Sequence, residues 1–301
     1  MTPSNLAQES SIHASYRLGI LLVAGSAITW SFGGAIARFI ETGDSWAIVF
    51  WRSVFAAAFL ICFMLLRDGL RGTINLFRDM GWPGLGVSIC FATASTSFVV
   101  ALAHTTVANI LLMQAGVPLL AAFMAWIFFG ERIAISTMLA IAAVIAGVAV
   151  MVSESFTGKV SPLGDGLALL ITVMFAAATV ITRRHRSVRM TPAVCLGTMI
   201  AAAASATLAS SFAVTAHDMA WLFAFGAINL GLGLAMFATG ARLIPSAVAA
   251  LVGTVEPVLG PIWVWLVHSE VPSTMTLTGG AIVFAALLAH LLIDFARQRS
   301  Q

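Results

Sequence analysis

One acidic side chain stands deep inside an apolar stretch of the chain. Glu256 lies between Ile244 and Val267, a run that contains no other charged residue. An ionised carboxylate in such surroundings is costly unless it is paired, hydrated or protonated. Three roles stay open for Glu256: it carries a proton, pairs with the ammonium group of a substrate, or accepts hydrogen bonds where Pro257 interrupts a helix.

Further polar side chains lie within apolar stretches and could contact a small molecule. Carboxamides in such a setting need real hydrogen-bond partners, whereas hydroxyls are commonly bonded to a carbonyl one turn back and serve packing. The aromatic side chain of Trp30, which is followed by Ser31-Phe32-Gly33-Gly34, could form the wall of a cavity. The candidate substrate-binding residues are Trp30, Ser31, Thr96, Asn109, Gln114, Thr179, Asn229 and Glu256.

Residue patterns typical of enzymes are missing from the sequence. Hydrolysis inside a membrane needs a Ser/His pair, two aspartates or metal ligands at membrane depth, and no such set stands out. Cys62, Cys90 and Cys195 have no metal-ligand spacing. No glycine-rich nucleotide loop is present. We therefore expect no catalytic residue, no metal and no cofactor.

The composition indicates which elements must hold these side chains. Of the 301 residues, 60% are hydrophobic and 9% are charged, against about 45–50% and about 25% in soluble domains. So few charges cannot cover a water-exposed surface, which favours an all-α polytopic membrane protein. The net charge of +3 comes from arginines in short connectors, so we expect a lipid bilayer and no nucleic acid as partner.

About 20 apolar residues are needed for a helix to cross a bilayer. Division of the sequence at charges, prolines and turn residues predicts ten transmembrane helices. They are 18–39, 46–66, 82–103, 106–129, 134–153, 162–182, 192–214, 219–239, 243–267 and 275–294. Pro118 and Pro257 are expected to kink two of them and to allow bending during gating, or to form static kinks that help packing.

Basic residues predict the orientation of these helices. With both termini in the cytoplasm, the opposite side receives only Arg38 and Lys159, and Arg52 lies within the second helix. The cytoplasmic connectors and tails then hold Arg17, Arg67, Arg71, Arg78, Arg132, Arg183, Arg184, Arg186, Arg189, Arg242, Arg297 and Arg299. This bias is typical of the inner membrane of a bacterium. Near the outer ends of helices one and two, Arg38 and Arg52 flank Glu41 and Asp44, which predicts a local ion-pair cluster or a vestibule that attracts carboxylates.

One stretch occurs twice in the sequence. Moving residues 105–136 along by 139 positions places Pro118 on Pro257 and Glu131 on Glu270. The shift passes five predicted helices, an odd number, so the second copy is inverted. We therefore predict two inverted five-helix repeats around a central cavity, a plan typical of secondary transporters. The predicted divisions are a tail at 1–16, repeats at 17–153 and 162–296, a periplasmic linker at 154–161 and a tail at 297–301.

The doubled pattern resembles the EamA family of the drug/metabolite transporter superfamily. The matching residues are Trp30, Thr106, Ala108, Pro118, Gly130, Glu131, Arg132, Gly147, Ser246, Ala247, Glu256, Pro257, Ser269 and Glu270. The resemblance implies a two-fold set of five helices with a central cavity and the export of small metabolites such as amino acids.

We expect a monomeric secondary transporter that exports amino acids or similar amphiphiles by alternating access. Protons are a candidate coupling partner because of Glu256. The alternatives are a channel or facilitator-type pore, and an intramembrane enzyme.

Overall fold

The computed structural model describes residues 3–131, 134–153, 161–185 and 187–299. Within these ranges the chain is built of helices joined by short connectors, without a β-strand. The predicted linker at 154–161 therefore lies outside the described residues except for Ser161. The predicted N-terminal tail at 1–16 is helical from Pro3 onward.

The first half contains seven helices in chain order. A long helix followed by a short one occupies the first predicted span, and another broken pair occupies the fourth. The helices are α1 (Pro3–Ser31), α2 (Gly33–Arg38), α3 (Ser45–Asp79), α4 (Gly81–Leu102), α5 (Val107–Gln114), α6 (Val117–Phe129) and α7 (Ile135–Val152). Within α3 the backbone breaks at Gly69, where φ is +69°, a value that glycine adopts without steric cost.

The second half also has seven α-helices among its described residues, but its first span is unbroken and its third is interrupted. Its helices are α8 (Pro162–Arg184), α9 (Thr191–Ala206), α10 (Ala216–Phe223), α11 (Gly233–Gly240), α12 (Ser246–Gly253), α13 (Val255–His268) and α14 (Thr274–Arg299). Between α10 and α11 the residues Ala224–Leu232 form a π-helix. π-helical turns are rare and occur frequently at functional sites.

The length of these helices bears on the predicted number of spans. Among the described residues, eight helical stretches are long and apolar enough to cross a membrane, and α5 with α6 forms a ninth if the bent pair counts as one span. The remaining predicted span, 192–214, extends further than the helix that the structure contains there. Its helix α9 has 16 residues and ends at Ala206. The helix ends early because serines follow, and Ser210 bonds through its N–H and hydroxyl to Asp44 instead of continuing the helix (2.8 and 2.6 Å).

The bends lie next to the repeated prolines. α5 and α6 meet at an angle of 43°, and Pro118 is the second residue of α6. Pro257 is the third residue of α13, just after the break at Thr254. Proline in the first turn of a helix lacks an N–H that would have no helical partner there, so each proline begins a new helix after the bend at little cost.

Helices of the two halves interlock. Extensive contacts join α7 to α14, α4 to α8, and α3 to α9. Several contacts are reciprocal: α6 packs on α8 at the start of the second half, and α13 packs on α1 and α2 at the start of the first.

The backbones of α7 and α14 approach closely at Gly147 and Gly279. A Cβ atom at Gly147 would lie 2.7 Å from the carbonyl oxygen of Gly279. Small residues allow such an approach between membrane helices, where dispersion contacts drive association. The central buried cluster draws on both halves too, with Leu111 and Met113 of α5 against Ile171 of α8 and Val264 of α13.

Candidate functional site

Three of the predicted site residues meet where the first span is broken. α1 ends at Ser31, so the carbonyls of Thr29 and Trp30 lie at a helix end and need donors from elsewhere. The buried Asn229 of the π-helix supplies them: its Nδ2 donates to the oxygen of Thr29 (2.5 Å) and to that of Trp30 (3.3 Å). The side chain of Asn229 therefore ties the second half of the chain to the break in the first.

The hydroxyl of Ser31 makes a second link at this break. It donates to the oxygen of Ile28 (2.7 Å) and accepts from Nε1 of Trp263 on α13 (3.0 Å). The Trp263 ring stacks on Phe32, with ring centres 4.8 Å apart. Trp263 is absent from the set of site residues predicted from the sequence, because an indole in an apolar run is indistinguishable there from a packing residue.

Trp30 lies beside this group and has an unused donor. Its ring packs against Gly233 and lies 5.5 Å from Phe237. Its buried Nε1 has no acceptor within the described part of the chain. A groove of about 240 Å³ opens next to it, lined by Ile28, Thr29, Phe32, Ile36, Ile228 and Asn229. A buried indole N–H normally finds an acceptor, but Nε1 of Trp30 faces Gly233 and Trp30 does not line the groove.

The buried Asn109 belongs to a different cluster. Its Nδ2 donates to Asp165 at the start of α8 (2.5 Å) and to the hydroxyl of Thr105 (3.1 Å). Asp165 is itself 2% exposed. The carboxamide of Asn109 is thus a structural partner of a buried acid in the other half.

The other three predicted residues with hydroxyl or carboxamide groups are dispersed. The hydroxyl of Thr179 donates to the oxygen of Phe175 (2.7 Å), which is the packing role weighed for hydroxyls. Nε2 of Gln114, next to the bend between α5 and α6, is buried without a partner among the described residues. Thr96 is half-buried on α4. No hydrogen bond between described residues joins these three to the group around Asn229.

Glu256 is the second residue of α13 and is half-buried. Its carboxylate has no ion pair or hydrogen bond to a described residue. A carboxylate in the first turn of a helix is favoured by the partial positive charge of the free N–H groups there. The position corresponds to Val117 in the first repeat, so this acid stands in one half only.

Arg38 and Glu270 form an ion pair that the sequence did not predict. The two side chains approach to 2.8 Å and are 30% and 19% exposed. Arg38 also donates to the oxygens of Leu102 (2.8 Å) and Thr105 (3.3 Å), while Glu270 accepts from the N–H of Val107 (2.9 Å). We call this set the α2–α13 pair; it joins the end of the first span to the start of α5 and to the end of α13.

The predicted ion-pair cluster of Arg38, Arg52, Glu41 and Asp44 is wrong. Asp44 instead caps α3, accepting from the N–H of Trp46 (2.9 Å), and binds Ser210. The hydroxyl and N–H of Ser210 hold the pKa of Asp44 below its usual value. Helix capping satisfies free N–H groups at the start of α3. The carboxylate of Asp44 is used for this contact and does not pair with Arg38.

Glu131 has the equivalent place in the first repeat. It pairs with Arg183 at the end of α8 (3.1 Å), and both side chains are 46% exposed. A cavity of about 230 Å³ adjoins this α6–α8 pair, lined by Ala125, Phe129, Glu131, Val180, Arg183 and Arg184.

The same helix ending positions both acids. α6 is followed by Gly130 with φ +64°, and α13 is followed by Ser269 with φ +55°. A left-handed residue directly after a helix ends it, and the glutamate follows in the sequence. The repeated Gly/Ser-Glu dipeptide was the sequence signal for this equivalence.

The two pairs lie at opposite ends of the molecule. α8 begins beside Asn109 and Thr105, the connector that Arg38 contacts, and ends at Arg183 and Arg184. Its 23 residues span about 34 Å at 1.5 Å per residue. Each pair joins the first span of one half to the fourth span of the other.

Comparison with known proteins agrees with this geometry. A model of the EamA-like transporter family matches residues 17–153 and 162–292, which confirms the resemblance seen in the sequence. The pseudopaline exporter CntI of Pseudomonas aeruginosa, in strains UCBPP-PA14 and PAO1, is 26% identical over 277 residues, covering 90% of this chain and 95% of the exporter. A solved crystal structure that is 19% identical superposes with a TM-score of 0.62, covering 94% of this chain and 99% of that one, and shares the fold.

Replacement of Arg38 by Gln should lower the thermal midpoint of the detergent-purified protein by several degrees, whereas Arg183→Gln should change it by about 2 °C or less. Hydrogen bonds to charged groups contribute about 1.5–3 kcal/mol when shielded, and exposed ion pairs about 0–1 kcal/mol. Differential scanning fluorimetry measures both midpoints. Equal shifts for the two variants would contradict the difference between the pairs.

Proposed function

Since the chain belongs to the EamA-like transporter family, we propose that it exports small amphiphilic metabolites, amino acids among them, by alternating access across the inner membrane of a bacterium. The observation that carries the proposal is the presence of two equivalent acid–arginine pairs at opposite ends of the molecule. A carrier must close one end while it opens the other. An ion pair at each end can hold that end closed, so equivalent pairs at both ends fit a carrier.

The reciprocal helix contacts support two inverted repeats. α13 on α1 and α2 has its mate in α6 on α8, and α7 with α14 and α3 with α9 join equivalent helices. A pseudo-two-fold axis in the membrane plane exchanges the members of each such pair. We propose that ten helices cross the membrane around the central cluster, with α9 crossing where the bilayer is locally thin. The positive charges then place both termini in the cytoplasm.

The difference between the two pairs supports a specific conformational state. The α2–α13 pair is shielded and is reinforced by three backbone contacts, whereas the α6–α8 pair is exposed beside a cavity. With the cytoplasmic termini proposed above, the outer end is the more firmly closed. Transport would require the outer pair to open while the inner pair gains the corresponding contacts.

The lining of the molecule supports an amphiphilic substrate. The groove beside Asn229 is bounded mostly by apolar side chains, with Thr29 and Asn229 as its polar lining residues. Such sites bind the apolar part of a ligand by burial and orient it with a few polar groups. CntI carries the name of an exporter, which supports the outward direction of transport for this chain.

Purified protein in proteoliposomes should catalyse saturable counterflow, in which unlabelled compound inside accelerates uptake of the labelled compound. Amino acids, nucleobases and amphiphilic cations form the panel, with protein-free vesicles as the control. Counterflow follows from alternating access because each loaded return exchanges one molecule for another. Continuous single-channel currents in planar bilayers, without counterflow, would show a pore and contradict the proposal.

We further propose that Glu256 carries a proton that is coupled to transport. It is half-buried and has no partner among the described residues, so its proton can exchange between states of different exposure. Glu256→Gln cannot ionise and should abolish the acceleration of uptake by an imposed pH gradient.

The control is Glu41→Gln, an exposed acid in the connector between α2 and α3, which should keep the pH response. Uptake by Glu256→Gln with the pH dependence of the unsubstituted protein would disprove the role of Glu256, as would a complete lack of pH dependence in the unsubstituted protein.

A further inference from the structure

Arg52 is a cation inside the helical bundle. It is the eighth residue of α3, about 10 Å along the helix from its start, and 6% of its surface is exposed. Its backbone lies against Gly226 of the π-helix, where a side chain would collide with the oxygen of Arg52. The sequence predicts Arg52 within the second span, in an ion-pair cluster with Glu41 and Asp44 that the structure does not contain.

The neighbours of the guanidinium group are neutral. Nη1 donates to the hydroxyl of Ser95 (2.9 Å) and to its carbonyl oxygen (3.4 Å). The central carbon of the group lies 4.2 Å from the ring centre of Phe225 and 5.7 Å from that of Phe98. The buried Nε has no acceptor, and Nη2 makes no hydrogen bond, within the part of the chain that the structure describes.

Acids in this region are engaged by other groups. Asp218, seven residues before Phe225, accepts the N–H of Glu41 (2.9 Å). Asp44 caps α3, and Glu270 pairs with Arg38. No carboxylate of a described residue lies within ion-pair distance of Arg52. The fold thus contains acids that could have neutralised this arginine but uses them elsewhere.

This arrangement is unfavourable for a residue that only fills space. Arginine stays protonated in proteins, and a buried charge without a counter-charge is strongly destabilising. Attraction to the faces of two phenylalanine rings and one serine offsets part of that cost. A neutral side chain of similar length could pack here without the cost of burying a charge. The presence of a charged residue at this position therefore requires an explanation.

The free edge of the guanidinium group suggests that explanation. Nε and Nη2 donate in parallel along one side of the plane, the geometry that binds the two oxygens of a carboxylate. Ser95 holds the opposite side through Nη1. The fully buried Phe225 and the half-buried Phe98 shield the group from water, and Phe98 offers an apolar surface next to it. The π-helix that supplies Phe225 also supplies Asn229, one turn further on.

We propose that Arg52 is the binding site for the carboxylate group of the transported metabolite, so that the substrates are carboxylates with an apolar remainder. The proposal rests on the function proposed above and narrows its substrate class. Ser95 and the buried ring of Phe225 position the guanidinium group, and the half-buried ring of Phe98 contacts the apolar part of the substrate. The bound carboxylate then supplies the counter-charge that Arg52 lacks, which stabilises the substrate-bound carrier relative to the empty one.

The test compares matched probes in counterflow: leucine, phenylalanine and methionine against the corresponding α-amides, in which a neutral carboxamide replaces the carboxylate. Uptake of the accepted carboxylates should exceed that of their amides at least about tenfold, as expected for a charge-assisted bidentate contact. Arg52→Gln should remove this preference by a similar factor, and Arg52→Lys should restore part of it. Arg67→Gln is the control, because Arg67 is on the same helix but forms an exposed contact with Thr239.

The results separate this proposal from the proposed function. Saturable counterflow of amides and carboxylates alike in the unsubstituted protein would overturn the carboxylate site and leave the transporter standing. An undiminished preference in a folded Arg52→Gln variant, verified by its gel-filtration profile and thermal midpoint, would overturn it too. No saturable flux of any probe, cationic amphiphiles included, would contradict both proposals.

Discussion

The interaction on which this structure depends is the ion pair between Arg38 and Glu270. It joins residues 232 positions apart and fastens the end of the first span, the start of α5 and the end of α13 in one set of hydrogen bonds. Few charged groups are available in a chain of this composition, and each is costly near lipid. A charge pair that links the two halves is therefore a strong constraint on how they can move.

A second ion pair, between Glu131 and Arg183, corresponds to the first at the opposite end of the molecule. Glu131 follows the same helix ending and pairs with Arg183 at the opposite end of α8. In the proposed transport cycle, the exposed pair beside a cavity and the shielded pair at the other end are the two closures that open in turn. The cluster at the break between α1 and α2, with Asn229, Ser31 and Trp263, lies on elements that α13 and the π-helix bring together. Movement of α13 would therefore reach both the closure and the groove.

Much of the fold could be predicted from the sequence because it follows from hydrophobic runs and from the repeat. The equivalence of Glu131 and Glu270 was visible in the Gly/Ser-Glu dipeptides. The partners of these acids were not, since no local pattern marks Arg38 as reaching across the molecule, and the nearby Glu41 and Asp44 were the simpler choice. The end of α9 depends on Ser210 bonding to Asp44. The role of Asn109 depends on the buried Asp165, a long-range contact of the same kind.

The central claim, that the two pairs open in alternation, is tested most directly by spin-label distances in a cysteine-free background. Labels at Glu41 and Val271 report on the α2–α13 end, and labels at Phe128 and Ser187 report on the α6–α8 end; all four side chains are exposed. Arg38→Gln removes the shielded pair without requiring a known substrate. Double electron–electron resonance should then show the Glu41–Val271 distance lengthening while the Phe128–Ser187 distance shortens. A change at one end alone, or no change at either end, would contradict the account.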